Sequence, residues 1–379
     1  MNGGMELYLH MPFCVRKCAY CDFLSFPTDQ ETQNLYTRRL REDIDAMGKK
    51  YGDIPVDTIF IGGGTPSVPD SALIVGIMEH VRKAFHVAEG AEISMEANPG
   101  TVTREKLTDY RRAGINRLSF GLQSANDREL KLLGRIHTWA EFLESFHLAR
   151  ECGFTNINID LMSALPGQTR ESWKDTLKRV TDLNPEHISA YSLIIEDGTP
   201  FGEKYGSEEG RKLLPDEDSE REMYHETKRF LRECGYERYE ISNYAKPGRE
   251  CRHNIGYWTG VPYLGLGLGA SSYMNGSRFA VSSDMQQYLG EKPGTFTDVE
   301  KLTKKDMEEE FFYVGLRMTA GVSLSEFERR FGVTAKEVYP GLMETFVEEK
   351  AAEFRGDRFV LTDYGLDVSN YIMAQFLQG

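Results

Sequence analysis

Residues 56–71 read VDTIFIGGGTPSVPDS, and this stretch contains the unit from which the fold is built. The run Val56 to Ile61 is rich in β-branched residues and predicts a strand, the glycines after it predict a turn, and Asp70 is a favourable helix N-cap. The same order of a β-rich run and an amphipathic helical stretch recurs from residue 5 to about residue 240. The other candidate strands are Glu6 to His10, Glu92 to Ala97, Asn116 to Gly121, Asn156 to Leu161 and His187 to Ile194.

Tandem βα units predict a parallel sheet with right-handed crossovers. Polar or glycine residues stand at the carboxyl end of one candidate strand after another, including Glu96, Gln123 and Asp160. In a barrel those ends share one mouth, whereas in a doubly wound sheet only the ends near the switch point share a site. We therefore predict an α/β fold with a partial (β/α)6 TIM-like barrel and a small, mostly helical C-terminal domain.

The pattern of strands and helices changes along the chain and divides it into three regions. Residues 1–240 form the predicted barrel, with a first helix from about Asp29 to Lys50. Residues 241–298 are rich in Gly, Tyr and Asn and predict irregular chain or a distorted strand. Residues 299–379 predict a small helical domain, with helices at about Lys304 to Met318, Ser323 to Arg330 and Thr334 to Ala352, a strand near Phe359 and a helix from Asp363.

The composition narrows the class of protein. The chain has 379 residues, 40% of them hydrophobic, and a formal net charge of −14, which disfavours nucleic acid as a partner. No window approaches the length of an apolar membrane span, and the first residues lack the layout of a signal peptide. We expect a cytoplasmic protein that is not an integral membrane protein.

Three of the six cysteines lie within eight residues, Cys14-Val-Arg-Lys-Cys18-Ala-Tyr-Cys21, with the spacing CxxxCxxC. Three thiolates on one loop suit an iron–sulfur cluster that keeps one iron free for an exogenous ligand. A zinc site completed by His10 or Cys251 and a set of three free thiols are the alternatives, since structural zinc takes four ligands.

The sequence Tyr8-Leu-His10-Met-Pro-Phe13-Cys14, followed by CxxxCxxC, resembles the cluster loop of radical S-adenosylmethionine enzymes. The YxHxPFC flank is similar to the branch that contains the oxygen-independent coproporphyrinogen III oxidases (dehydrogenases) of porphyrin metabolism, and the resemblance covers nearly the whole chain. It implies a [4Fe-4S] cluster on Cys14, Cys18 and Cys21. It further implies S-adenosyl-L-methionine contacts at Tyr8, Tyr20, Gly63, Gly64, Thr65, Glu96, Gln123, Arg135 and Asp160.

Two departures separate the chain from the oxidases of that branch. Their loop resembles CxxxCxxCxC, whereas Phe23 stands here at the position of the last cysteine. They also carry a long N-terminal extension, whereas seven residues precede Tyr8. Both differences weigh against porphyrinogen decarboxylation, and no side chain is singled out as catalytic.

The stretch His253-Asn254-Ile-Gly-Tyr257-Trp258 has the form HNxxYW, which resembles the signature of the heme chaperone family HemW. Physically, His253 is suited to be an axial ligand of heme iron, with Tyr257 and Trp258 as aromatic surface for the macrocycle. Cys251 is a second possible ligand. The alternative is a hydrogen-bonded structural histidine and a Tyr-Trp pair in the core, and the residues alone favour that alternative.

The resemblance thus implies a heme chaperone that binds heme, a cluster and S-adenosylmethionine and needs an electron donor. It would deliver heme to a heme-acceptor protein, for example a membrane-bound respiratory enzyme. The alternative functions are an oxygen-independent coproporphyrinogen III oxidase and a zinc-stabilised adaptor without redox chemistry, so whether the chain is an enzyme stays open.

Overall fold

The computed structural model describes residues 3–377. Within them the strands are, in chain order, β1 (Met5–Met11), β2 (Val56–Gly63), β3 (Val87–Ala97), β4 (Arg117–Gln123), β5 (Ile157–Ser163), β6 (His187–Ser192), β7 (Glu237–Arg238), β8 (Asn243–Ala245), β9 (Tyr263–Leu266), β10 (Ser271–Met274), β11 (Ser277–Ala280), β12 (Thr297–Lys301), β13 (Val322–Ser323), β14 (Ala352–Arg355) and β15 (Arg358–Leu361).

At least one helix separates each strand from the next in the series β1 to β6, and further helices follow along the chain. The helices are α1 (Gln30–Tyr51), α2 (Ser71–Ala84), α3 (Arg104–Arg112), α4 (Asp127–Leu132), α5 (Trp139–Glu151), α6 (Arg170–Asp182), α7 (Pro200–Tyr205), α8 (Glu208–Arg211), α9 (Glu217–Glu233), α10 (Arg252–Thr259), α11 (Met285–Gly290), α12 (Lys304–Gly315), α13 (Leu324–Phe331), α14 (Ala335–Val338), α15 (Leu342–Glu348), α16 (Asp363–Asp367) and α17 (Ser369–Ala374).

The six strands expected in residues 5–240 are all present, and they pair in parallel in the order β1 to β6. The pairing places Tyr8 beside Phe60 and Glu96 beside Ser119. Antiparallel β8 and β7 extend the β6 edge, while β9 runs parallel to β1 and carries β10 to β12. The predicted α/β fold with a partial barrel is confirmed.

The two faces of β1 show how the sequence builds the barrel. Leu7, Leu9 and Met11 are fully buried in the same apolar core as Leu40 and Ile44 of α1. Because side chains alternate along a strand, Glu6, Tyr8 and His10 lie on the opposite face. That inner face is polar, and it supplies the groups of the candidate site.

Helix boundaries follow side-chain chemistry. Asp29, Asp70 and Thr103 each accept a hydrogen bond from a backbone N–H in the first turn of α1, α2 and α3, as N-caps do. Gly114 and Gly235 adopt φ values of 85° just beyond the ends of α3 and α9, where a left-handed residue ends a helix at little cost.

Residues 299–377 contain two departures from the expected elements. The single helix expected over Thr334 to Ala352 is interrupted between α14 and α15, because Pro340 disfavours a helical conformation at Tyr339 and Gly341 has φ 78°. The helix expected from Asp363 is divided into α16 and α17. The outer limits of the predicted domains, residues 1 and 379, lie outside the described residues.

Residues 263–266 form strand β9 beside β1, which agrees with the second of the two expectations for this glycine-rich segment, irregular chain or a distorted strand. A second apolar core, centred on Phe312, Phe327 and Phe376, lies in the C-terminal part of the chain. Within residues 3–377 no helix has the length and apolar character needed to cross a membrane.

Candidate functional site

The cysteine loop connects β1 to α1 at the carboxyl end of the parallel strands. Backbone bonds fasten it at both sides: Cys14 N–H donates to Phe26 O at 3.2 Å, and Ala19 N–H donates to Leu133 O at 3.0 Å. Arg16 adds a bond to Gly134 O at 2.8 Å. The loop is therefore held against the segment that follows β4.

Cys14, Cys18 and Cys21 are free, partly buried thiols on this loop. Burial raises the pKa of Cys21, and the neighbouring Cys18 and Cys14 raise it further. In residues 3–377, however, no group of three or more His, Cys, Asp or Glu side chains is arranged to hold a metal ion. The loop presents three soft donors to one region without closing them into a ligand set.

His10, which the sequence offered only as a possible zinc ligand, is hydrogen-bonded to both β1 and the cysteine loop. Its Nε2–H donates to Leu24 O at 2.9 Å, so Nδ1 is left to accept from the Tyr8 hydroxyl at 3.0 Å. Burial lowers the pKa of His10. A neutral His10 thus ties the far end of the cysteine loop to β1 and orients Tyr8.

The glycines after β2 are required by contacts inside the protein. Gly63 has φ 110°, and a Cβ there would lie 2.3 Å from the His10 ring. A Cβ on Gly64 would lie 2.7 Å from Phe13 O and 2.8 Å from Met11 O. The turn can pack against the start of the cysteine loop only because side chains are absent.

Glu96 and Asp160 face each other across the mouth. Burial raises the pKa of Glu96 to about 8, the charge of Asp160 contributes to the rise, and Gly63 N–H donates to the Glu96 carboxylate at 3.0 Å. Asp160 accepts from Ser119 Oγ at 3.0 Å and from Asn158 Nδ2 at 2.7 Å, while burial raises its pKa. The pair offers hydrogen-bond acceptors to the hydroxyls or amine of a ligand.

Gln123 and Arg135 complete the mouth. Gln123 has φ 74°, a conformation that costs energy for a residue with a side chain and is concentrated at functional sites. One guanidinium nitrogen of Arg135 is 3.6 Å from Cys18 Sγ, and its Nε is buried without a hydrogen-bond partner. Tyr20 is partly buried beside Arg135, and burial raises the pKa of its hydroxyl.

Asn98 belongs to the site as well, and the sequence analysis did not assign it. Its side-chain amide donates to Thr65 Oγ1 at 2.6 Å and accepts from Arg135 at 2.6 Å. The available signal was its place one residue beyond β3, where polar residues of this barrel collect.

The HNxxYW stretch lies within helix α10, outside the cysteine loop. His253 is 1% exposed, its Nδ1 lies 2.7 Å from Thr58 Oγ1, and its Nε2 lies 3.0 Å from the Tyr257 hydroxyl. The ring stacks on Phe60 with centroids 5.3 Å apart. Burial lowers the pKa of His253 to about 3, with the Arg117 charge as a second cause.

The other members of the motif differ in their contacts, and the Trp258 Nε1 is a buried donor without a hydrogen-bond partner. The Arg317 guanidinium lies 4.4 Å from the centre of the Trp258 ring, and Asn254 is partly buried. Gly256 packs directly on Glu6, because a Cβ there would lie 1.9 Å from the Glu6 carboxylate. Cys251 is fully buried with its thiol 3.5 Å from Glu92. As folded, neither ring nitrogen of His253 is free for a heme iron.

Comparison with known proteins agrees with this architecture. A model of the radical SAM superfamily matches residues 8–180, and one of the HemN C-terminal domain matches residues 302–368. The chain is 34% identical over 374 residues to the heme chaperone HemW of Bacillus subtilis (strain 168), with 98% of each chain covered. It is 35% identical over 382 residues to the heme chaperone HemW of Escherichia coli (strain K12), again with 98% of each chain covered.

The chain belongs to the HemW family. This HemW-family chain also resembles the structure of coproporphyrinogen III oxidase (HemN) from Escherichia coli, with a TM-score of 0.85 and 25% identity. That match covers 99% of the present chain and 90% of the other. Membership in the radical SAM superfamily implies a [4Fe-4S] cluster and S-adenosylmethionine.

Proposed function

We propose that this HemW-family chain is a heme chaperone, which binds heme together with a [4Fe-4S] cluster and S-adenosylmethionine and transfers the heme to an acceptor protein. The observation that carries the proposal is similarity at 34% and 35% identity, over 98% of both chains, to two proteins named heme chaperones. Similarity to the coproporphyrinogen III oxidase is lower, at 25% identity.

The residues at the barrel mouth fit the cluster. Cys14, Cys18 and Cys21 provide three thiols, the ligand type that iron–sulfur clusters take, and Arg135 places positive charge beside Cys18. No fourth cysteine follows on the loop, where Phe23 is 68% exposed. We assign these three thiols as the cluster ligands.

The same mouth fits S-adenosylmethionine. The unpartnered Nε of Arg135 is a buried donor suited to a carboxylate, and Glu96 and Asp160 are acceptors suited to an amine or a ribose. Tyr8, Tyr20, Gly63, Gly64, Thr65 and Gln123 are the other proposed contacts. When bound, the cluster and S-adenosylmethionine together supply one-electron chemistry.

Heme is assigned to the region of α10, with His253, Asn254, Tyr257 and Trp258 as proposed contacts. Ligation of iron through His253 Nε2 requires the hydrogen bond to the Tyr257 hydroxyl to break. The proposed heme site is therefore one that opens when heme binds. We further propose that an electron donor reduces the cluster and that an acceptor protein receives the heme. We propose the cytoplasm as the location of the chain.

The alternative function is an oxygen-independent coproporphyrinogen III oxidase, and the observation behind it is the structural likeness to HemN, at a lower identity than the similarity to the chaperones. Two assays on one anaerobically reconstituted sample decide between the functions: heme titration followed by transfer to an apo-hemoprotein, and turnover of coproporphyrinogen III. Stoichiometric heme binding with transfer and no porphyrinogen product supports the chaperone, whereas turnover overturns it.

The cluster ligands are tested on the same preparation. Replacing Cys14, Cys18 or Cys21 by Ser should abolish the brown cluster absorbance, because each thiolate is a ligand. Cys234→Ser is the matched control, since Cys234 is an exposed thiol outside the loop. Full cluster content in the three loop variants would remove these residues as ligands.

A further inference from the structure

Asn98 joins the two arms of the site through its side-chain amide. The amide nitrogen donates to Thr65 Oγ1 at 2.6 Å, and the amide oxygen accepts from Arg135 at 2.6 Å. Its own backbone N–H donates to Ser67 Oγ at 3.2 Å, which fixes the residue just after β3. The Asn98 side chain is thereby held between the glycine turn and the segment after β4.

Each of these partners in turn reaches a thiol. Thr65 Oγ1 lies 3.6 Å from Cys14 Sγ, and Arg135 donates to Cys18 Sγ at 3.6 Å. Thr65 is 2% exposed, so its hydroxyl is shielded from bulk water. One continuous polar series therefore runs from Cys14 through Thr65, Asn98 and Arg135 to Cys18.

The direction of the series depends on an amide. Because Asn98 donates to Thr65 Oγ1, the Thr65 hydroxyl hydrogen is free to point at Cys14. Because the amide oxygen accepts from Arg135, the guanidinium stays against Cys18. A carboxylate in place of the amide could accept from Arg135 but could not donate, and it would draw the Thr65 hydroxyl away from Cys14.

A small cavity beside the loop shows that these groups share one space. Cys18, Thr65, Asn98 and Arg135 all line it. Arg135 also donates to Gly121 O at the end of β4, so the guanidinium is fixed from two directions. Asn98 thus lies among the groups that face the thiols rather than in a remote structural position.

We propose that Asn98 is a positioning residue for the iron–sulfur site: its amide directs the Thr65 hydroxyl to Cys14 and holds Arg135 against Cys18. Hydrogen bonds to cysteine sulfur and nearby charge set the reduction potential of such clusters. The residue acts through Thr65 and Arg135 and is not itself a ligand. This inference rests on the cluster assignment of the proposed function.

The test is a redox titration that measures the midpoint potential of the reconstituted cluster. The electron paramagnetic resonance signal of the reduced cluster reports the extent of reduction. Asn98→Asp should lower the potential by about 59 mV, a tenfold change in the one-electron equilibrium constant, because a sulfur loses a donor and a negative charge is added. Asn34→Asp is the matched control, since Asn34 is exposed on α1 and undergoes the same change of charge.

A second variant keeps the test valid if Asn98→Asp folds poorly. Thr65→Val replaces the hydroxyl with a methyl group, so it should also lower the midpoint potential. In the double variant, Asn98→Asp with Thr65→Val, the potential should fall by less than the sum of the two single shifts. A potential for Asn98→Asp equal to that of Asn34→Asp, or strictly additive shifts, overturns the inference while leaving the proposed function intact. Failure of the natural chain to take up a cluster overturns both, and cluster absorbance measured first separates these results.

Discussion

His253 shows how far a single residue can be understood from sequence. Its position in HNxxYW was readable, but its surroundings were not, because Thr58 and Tyr257 approach it from β2 and from the next turn of α10. The burial of the imidazole and the hydrogen bonds of both its nitrogens depend on tertiary contacts, which the sequence does not show. The residue is structural as folded, and ligation of heme iron would require rearrangement.

Tyr257→Phe separates the two roles of His253. The variant removes only the hydroxyl that occupies Nε2, so heme should bind about fivefold more tightly, since one hydrogen bond worth about 1 kcal/mol no longer has to break. His253→Ala should instead weaken heme binding and change the Soret spectrum. Both variants are compared by anaerobic heme titration. Affinities and spectra identical to those of the natural chain would place the iron ligand elsewhere.

The burial of His253 also predicts a pH dependence of stability. Its pKa is lowered to about 3 in the folded chain, against about 6.5 for a free imidazole. Between these values the unfolded chain binds a proton that the folded chain does not, so the free energy of unfolding falls as the pH falls.

The size of that loss can be measured against His253→Gln, which lacks the titrating group. The stability advantage of the natural chain over the variant should shrink by about 2 kcal/mol between pH 7 and pH 5. Urea unfolding at both pH values gives the difference. Glu6, whose pKa burial raises to about 9, acts in the opposite direction but is present in both chains. A pH-independent difference would mean that His253 has the same pKa in the folded and the unfolded chain.

At the scale of elements, the repeating βα units were predictable because strands and helices leave periodic patterns. The six parallel strands and the caps at Asp70 and Thr103 are of this kind. The dipeptide Pro340-Gly341 also indicates the break between α14 and α15, but the helical periodicity around it predicted one continuous helix. Strand β9 was predicted only as one of two alternatives for its segment, because its glycines also match a turn and the pairing with β1 is what makes it a strand.

Helix α10 depends on an acidic residue from another element. Cys251 occupies its N-cap without a side-chain hydrogen bond to the helix backbone, and the Glu92 carboxylate accepts instead from the backbone N–H groups of Arg252 and His253 at 3.1 and 3.3 Å. A carboxylate at a helix N-terminus satisfies free donors and favours the helix dipole.

Glu92→Gln should therefore lower the free energy of unfolding by about 2 kcal/mol, because a buried charge-assisted cap becomes neutral. Glu89→Gln is the matched control, since Glu89 lies on the same strand and is exposed. Urea unfolding followed by circular dichroism measures both. Equal stability of the two variants would show that α10 does not rely on Glu92.

At the scale of the whole molecule, Arg317 is one of several residues that join the barrel to the C-terminal part of the chain. Arg317 follows α12, stacks over Trp258 of α10 at 4.4 Å and lies 3.8 Å from the Glu240 carboxylate. Glu240 is 1% exposed, and burial raises its pKa while Arg317 opposes the rise. A carboxylate in this position depends on the cation that reaches it.

Arg317→Met should destabilise the chain by about 1–3 kcal/mol, because the buried Glu240 loses its partner and Trp258 loses a stacked cation. Loss of the charge pair can be separated from loss of packing by adding Glu240→Gln to Arg317→Met. If the charge pair accounts for much of the loss, this second substitution should restore about 1 kcal/mol of the free energy of unfolding, so that the two effects are not additive. Arg355→Met is the control, because its partner Glu353 is exposed and such pairs contribute little. Urea unfolding of the four chains closes the cycle, and strictly additive losses would mean that Arg317 links the two parts of the molecule by packing on Trp258 rather than by charge.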